Sequence, residues 1–206
     1  FSVFRLNVVT FVDDQTGWAV GRSETFYGNG WEQHRAILHT TDGGLTWLEQ
    51  GRNLADDLAP EFFDVQFLDA QHGWALETGH YDGVAGEQRL FLAETSDGGA
   101  TWENLGLNES EHIGMIVIDP RDSNVVYVAA EGPLWSGGGD RGLYRTRDAG
   151  GSWERILAGG EYTGVNELHL DPRNPDVMFA VKHQRLRNVA ALMNGGPESG
   201  IWKSVD

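Results

Sequence analysis

The chain has 206 residues, with 15 Lys and Arg against 31 Asp and Glu for a formal net charge of −16, and with 28 Gly, 8 Trp and no Cys. One domain of ordinary size fits that length without covalent staples. The charge argues against phosphate-rich nucleic acid and anionic lipid, and the lack of Cys excludes disulfides, thiol catalysis and Cys-based zinc sites.

Taken in chain order, the first elements are two apolar strands, Phe11-Val12-Asp13 and Gly17-Trp18-Ala19-Val20, around an Asp turn. A polar stretch at 22–35 reads as a loop. A strand through Ile37 then leads into the octet Thr40-Thr41-Asp42-Gly43-Gly44-Leu45-Thr46-Trp47. The series returns as Phe67-Leu68-Asp69, Gly73-Trp74-Ala75-Leu76, a loop at 78–90, Leu92 and the octet Thr95-Ser96-Asp97-Gly98-Gly99-Ala100-Thr101-Trp102. It returns again as Val117-Ile118-Asp119-Pro120, Val126-Tyr127-Val128, a loop at 131–142, Leu143 and the octet from Thr146 through Asp148 and Gly150 to Trp153. The last copy runs through Asp171-Pro172, Val177–Val181, a loop at 182–200 and Ile201, and reaches only Ser204-Val205-Asp206 of its octet.

Four strands per ~50 residues is the pattern of a propeller blade. The expected fold is all-β, a β-propeller or propeller segment of about four four-stranded antiparallel blades, the last incomplete. Taking 1–206 as one domain or segment, the repeats fall near 7–56, 57–106, 107–158 and 159–206. A period of 3.6 residues shows only at 186–193, inside a loop.

Each octet makes physical sense as a hairpin turn. An Asp carboxylate folds onto turn N–H groups, Gly takes the positive-φ positions, and the Trp covers the turn with apolar surface. Thr40, Asp42, Gly44, Trp47, Thr95, Asp97, Gly99, Trp102, Thr146, Asp148, Gly150, Trp153, Ser204 and Asp206 are therefore read as structural.

The pattern Ser/Thr-x-Asp-x-Gly-x-Ser/Thr-Trp resembles the Asp-box of the BNR-repeat β-propellers. That group includes sialidases, sortilin-type receptors, xyloglucan-hydrolysing enzymes and photosystem II assembly factors. The second half, with Asp119-Pro120 and Asp171-Pro172 hairpins, is similar to the sortilin-like and xyloglucanase-like branch. The first half, with Asp-x-x-x-Gly-Trp-Ala, looks closer to the assembly-factor type. Sialidases are also approached at Phe4-Arg5-Leu6-Asn7 and Arg22; their chemistry implies three Arg on a carboxylate, with a Tyr nucleophile activated by a Glu.

In such a fold the Asp turns and octets share one face, and the loops after the second strand of each blade crowd the other. Those loops are long and unlike one another, which is where function usually sits on a regular scaffold. The candidate ligand-binding residues are Tyr27, Trp31, His34, His80, Tyr81, Trp135, Arg141, Arg185 and Arg187, since aromatic platforms beside polar groups suit glycan or peptide recognition. The His residues lack a metal-binding spacing, and the Gly-rich run at 135–140 has no following Lys-Ser/Thr, so neither a metal nor a cofactor is expected.

The reading is a non-catalytic binding or scaffolding propeller that takes a glycan or a polypeptide. No nucleic-acid partner and no membrane insertion are expected. A glycoside hydrolase-like propeller, or a fragment of one, is the alternative. The start lacks a signal peptide's basic and apolar regions, and an extracellular or periplasmic setting is expected of a mature form or cut piece. Residues 1–6 leave no spacer before the first strand. A segment of a longer propeller, or an array completed by self-association, is therefore favoured over a sealed disc.

Overall fold

The computed structural model describes residues 2–26, 28, 30–50, 61–78, 90–107 and 109–204. Every regular element among them is a β-strand, and they form four four-stranded antiparallel sheets. The chain divides into two compact units, Phe1–Leu105 and Gly106–Asp206.

The first unit holds two sheets. One is β1 (Ser2–Phe11), β2 (Gly17–Phe26), β3 (Trp31–Thr40) and β4 (Leu48–Gln50); the other is β5 (Phe62–Phe67), β6 (Gly73–Thr78), β7 (Leu90–Thr95) and β8 (Glu103–Asn104). Trp18, Val20, Ile37, Phe62, Val65, Phe67 and Ala75 form the core. The buried Trp18 indole stacks on Phe67 at 3.6 Å between centroids and on His39 at 4.8 Å. Its Nε1 donates to the Gly98 carbonyl at 2.9 Å, so the polar edge is satisfied where the rings are desolvated.

In the second unit, one sheet is β9 (Ile113–Ile118), β10 (Val126–Ala130), β11 (Gly142–Thr146) and β12 (Glu154–Ala158). The other is β13 (Thr163–Asp171), β14 (Asn174–Arg187), β15 (Leu192–Asn194) and β16 (Gly200–Lys203). Tyr127, Ala129, Leu143, Val165, Leu168 and Ala180 form its core.

The turns owe their shape to carboxylates. Asp13 Oδ1 accepts the Gln15 and Thr16 N–H groups at 2.7 and 2.6 Å, and Asp69 Oδ1 does the same for Gln71 and His72 at 2.7 and 2.8 Å. Asp119 and Asp171 each take a backbone N–H and a guanidinium two residues on, from Arg121 and Arg173. In the first octet Thr40 Oγ1 donates to Asp42 Oδ1 at 2.8 Å and accepts the Gly44 N–H at 2.9 Å. Asp42 in turn receives the Thr46 N–H at 2.8 Å and hydroxyl at 2.6 Å. The octets from Thr95 and Thr146 reproduce the set. Backbone bonds tie each octet to the Asp turn of its own sheet, Gly43 to Gln15, Gly98 to Gln71 and Ala149 to Asn124.

Two stretches expected as loops are largely strand. β2 and β3 pair without interruption from Gly17↔Thr40 to Phe26↔Trp31. Thr, Phe and Trp there suit a pleated surface, and polarity alone hid the strand. Likewise β14 runs on to Arg187 and pairs with β15 through a turn in which Asn188 Oδ1 accepts the Ala190 and Ala191 N–H groups. The stretch at 186–193 that hinted at a helix is therefore a hairpin. In the fourth sheet β15 and β16 both pair with β14, so the third strand position is broken at 195–199, where Gly195 turns at φ 115°. The position held by β4, β8 and β12 in the other sheets carries no described strand there.

Candidate functional site

In the first unit, three arginines stand directly opposite one another across three strands. Arg5 of β1 pairs with Arg22 of β2, and Arg22 pairs with Arg35 of β3. Cross-strand partners project to the same face, here the face that carries the core row Val8, Val20 and Ile37. The ladder thus continues that face beyond the core's end. Its register depends on an irregularity between Leu6 and Val8, and without it Arg5 would lie on the opposite face.

Like charges directly opposite are destabilising in a sheet, and carboxylates moderate them. Glu24 lies 3.6 Å from Arg5 and 3.4 Å from Arg22, and Glu61 lies 3.8 Å from Arg22. Those carboxylates are themselves held, Glu24 by the Gln33 amide at 3.0 Å and Glu61 by the Asn7 amide at 2.9 Å. The Arg35 guanidinium sits 5.6 Å over the Phe62 ring. The Arg5 side chain is 61% exposed and Arg22 29%, and the buried Arg22 Nε has no hydrogen-bond partner. Such a cluster can take a further carboxylate through charge-assisted hydrogen bonds.

In the second unit, four of the expected residues, Trp135, Arg141, Arg185 and Arg187, meet at the loop 131–142 and take different tasks. Arg141 is a correction to its expected place on the exposed face. It is 1% exposed, and its guanidinium donates to the carbonyls of Gly138, Glu131, Pro133 and Ser136. A side chain with that many backbone acceptors holds the loop's shape and is not available to a ligand. Arg185 is paired with Glu131 at 2.6 Å and donates to the Gly132 carbonyl. Arg187 lies 5.2 Å over the ring of Trp135, which is 46% exposed. Backbone bonds from Arg185 to Tyr162 and from Arg187 to Leu134 fix this edge. Trp135 and Arg187 are the pair that faces outward.

Beneath the loop, His112 is pushed down to about 4 by burial, with Arg185 and Arg141 adding to the effect. Its Nδ1 is buried without a partner.

The remaining expected residues fall apart. His34 is exposed on β3, opposite Ser23 on the face away from the ladder. Trp31 lies opposite Phe26, its side chain outside the described residues. Tyr27, His80, Tyr81 and Asp206 also lie outside them. Among the described residues no group of His, Asp and Glu stands together as a metal site. Sequence reasoning missed Arg35 altogether and weighed Arg5 and Arg22 only as sialidase-like residues. The signal was the pairing of β2 with β3, whose register sets Arg22 against Arg35.

No protein-family model matches the chain. The photosystem II assembly lipoprotein Ycf48 of Synechococcus sp. (strain CC9902) is 25% identical over 211 residues, covering 94% of this chain and 54% of that protein. The chain thus spans about half the length of this curated relative. Among solved structures, YCF48 bound to D1 peptide matches 92% of the chain and 53% of its own, with a TM-score of 0.50 and 18% identity. The GH74 xyloglucanase from Xanthomonas campestris matches 96% of the chain and 29% of its own, with a TM-score of 0.56 and 14% identity. At these identities the solved structures speak to the fold alone, and together with the four sheets they make the chain an all-β segment of the β-propeller type.

Proposed function

We propose that this chain is a non-catalytic, polypeptide-binding propeller segment whose ladder of Arg5, Arg22 and Arg35 receives a carboxylate of an extended partner. The observation that carries this reading is the direct cross-strand register of the three arginines on one face. Arg5, whose side chain is 61% exposed, presents its guanidinium to an incoming carboxylate. The Ycf48 relative lends support, since one solved YCF48 structure holds a D1 peptide. Trp135 with Arg187 supplies a separate platform in the second unit, suited to an aromatic or apolar side chain of a partner. An extracytoplasmic setting belongs to the same reading, and the curated relative is named a lipoprotein.

The test is titration of fluorescent acidic peptides, with free and amidated C-termini, against the chain and its Arg5→Gln and Arg22→Gln variants. Loss of a charge-assisted bond of ~1.5–3 kcal/mol weakens binding roughly ten- to a hundredfold, and raising the salt weakens it further. Peptide binding that ignores both substitutions overturns the reading. So does hydrolysis of aryl sialosides that depends on the same arginines, which would favour the glycosidase alternative.

A further inference from the structure

Exposed apolar side chains gather at the end of the β14–β15 hairpin. Val189 is fully exposed and Leu192 is 70% exposed, with Ala190 and Ala191 exposed between them. Leu192 lies directly opposite Arg187, and cross-strand partners share a face. Arg187 in turn covers the exposed Trp135 ring. Val189, Leu192, Arg187 and Trp135 thus crown one protrusion. β16 pairs with β14 from Phe179↔Lys203 to Lys182↔Gly200, and the tip lies beyond that pairing.

The protrusion is preformed. The Arg187 N–H donates to the Leu134 carbonyl, which moors the hairpin to the loop that Arg141 holds. Inside the turn, the Asn188 N–H donates to the Ala191 carbonyl, and Asn188 Oδ1 accepts the Ala190 and Ala191 N–H groups at 2.9 and 2.7 Å. Main-chain groups need internal partners before a segment can leave water, and these three bonds supply them at the apolar end. The charge is local too. From Val177 to Pro197 the sequence has Lys182, Arg185 and Arg187 and no Asp or Glu, in a chain with 31 acidic residues. Arg185 is held by Glu131, so Arg187 is the cation beside the tip. Trp and Arg are side chains that rest an apolar body at the edge of an acyl layer and keep a polar end among headgroups.

We infer that the tip of the β14–β15 hairpin docks on a zwitterionic lipid surface, with Val189 and Leu192 entering the acyl boundary, Trp135 at headgroup level and the Arg187 guanidinium on a lipid phosphate. The net charge of −16 opposes an anionic bilayer, whereas a phosphatidylcholine surface bears no net charge to repel the chain. A lipid layer parts around a convex tip, so no concave partner surface has to match it. The contact is a shallow, reversible insertion of a few side chains. It departs from the expectation drawn from overall charge because that charge is unevenly spread. The site is independent of the arginine ladder.

The chain has no Cys, so Val189→Cys carries a single environment-sensitive fluorophore at the tip. Leu45→Cys, exposed on the first octet turn, carries the same dye as reference. Phosphatidylcholine vesicles should shift the emission of the tip label to the blue and raise its intensity, while the Leu45 label stays as in buffer. Unlabelled chain should float with the vesicles. Val189→Asp combined with Leu192→Asp should lower its partition coefficient about tenfold or more, at an unchanged melting temperature and with unchanged affinity for acidic peptides. That last readout keeps failure here distinct from failure of the ladder. A tip label indifferent to vesicles overturns the inference, as does an equal shift at both labels, or flotation of the double aspartate variant equal to the parent's. A tip label that shifts with protein concentration in the absence of lipid assigns the tip to a second copy. One that shifts with added acidic peptide and not with vesicles assigns it to a protein partner, and either result overturns the inference.

Discussion

Gly21 of β2 lies against the backbone of β1 so closely that the Arg5 carbonyl occupies the place of a side chain, with the Leu6 Cα 2.9 Å from where a Cβ would stand. This approach accompanies the irregularity that puts Arg5 opposite Arg22. Gly21→Ala should push β1 outward and cost about 1–3 kcal/mol, as overpacking does. It should also lower affinity for acidic peptides more than its loss of stability accounts for, because Arg5 leaves the ladder. Thermal melting read beside peptide titration checks this. A variant that loses stability yet binds normally would uncouple the bulge from the site.

Arg141 and Arg187 belong to one region and should behave in opposite ways. Arg141→Met strands four backbone carbonyls and should cost roughly 2–4 kcal/mol. Arg187→Ala removes a cation–π contact at an exposed ring and should cost less than about 1 kcal/mol. Urea denaturation of the two variants measures the contrast, and equal losses would refute the division of tasks.

The octets should resist single changes only in part. Asp97 accepts the Thr95 hydroxyl, the Thr101 N–H and the Thr101 hydroxyl, so Asp97→Ala should cost roughly 1–2 kcal/mol by freeing these donors. Asn in its place keeps one acceptor oxygen and should recover part of the loss. Peptide binding should persist well below the melting temperature.

The turn carboxylates also set the acid limit. The Thr46 hydroxyl and N–H, then the Thr40 hydroxyl, hold Asp42 below the usual carboxylate range. The Thr146 and Ser152 groups do so for Asp148, and Arg173 takes Asp171 down to about 2. A carboxyl whose folded pKa is depressed stabilises the fold above its unfolded pKa of about 3.8, and that contribution fades as pH falls through the lower folded value. Their share should therefore be constant from neutral pH to about 5 and disappear between about 4 and 2. Circular dichroism melts across that range follow it.

His112 acts at higher pH. Burial, reinforced by Arg185, brings it from 6.5 to about 4, so the unfolded chain binds a proton in that interval while the folded chain does not. Stability should fall as pH drops from about 6.5 to 4, by on the order of 2 kcal/mol once partial exposure is allowed for. His112→Asn should flatten this slope, and an NMR titration of the imidazole near 6.5 would contradict it.

The four-strand period was readable from residues alone because its determinants are local. An Asp two to four residues ahead of the N–H groups it binds, a Gly where φ is positive and a Trp at a fixed offset encode the turns without reference to the rest of the chain. Long polar stretches were less legible. Strand pairing at 22–26 with 31–35 rests on cross-strand partners, and polarity masks it. The arginine ladder was settled only in three dimensions. A single irregularity at Asn7 decides which face Arg5 takes, because strand side chains alternate with period two and a shift of one residue reverses them. The fate of Arg141 was equally tertiary. It and Arg187 look alike in the sequence, yet one is enclosed by carbonyls of the loop that folds around it and the other lies over an exposed indole, since burial depends on what the rest of the chain brings near.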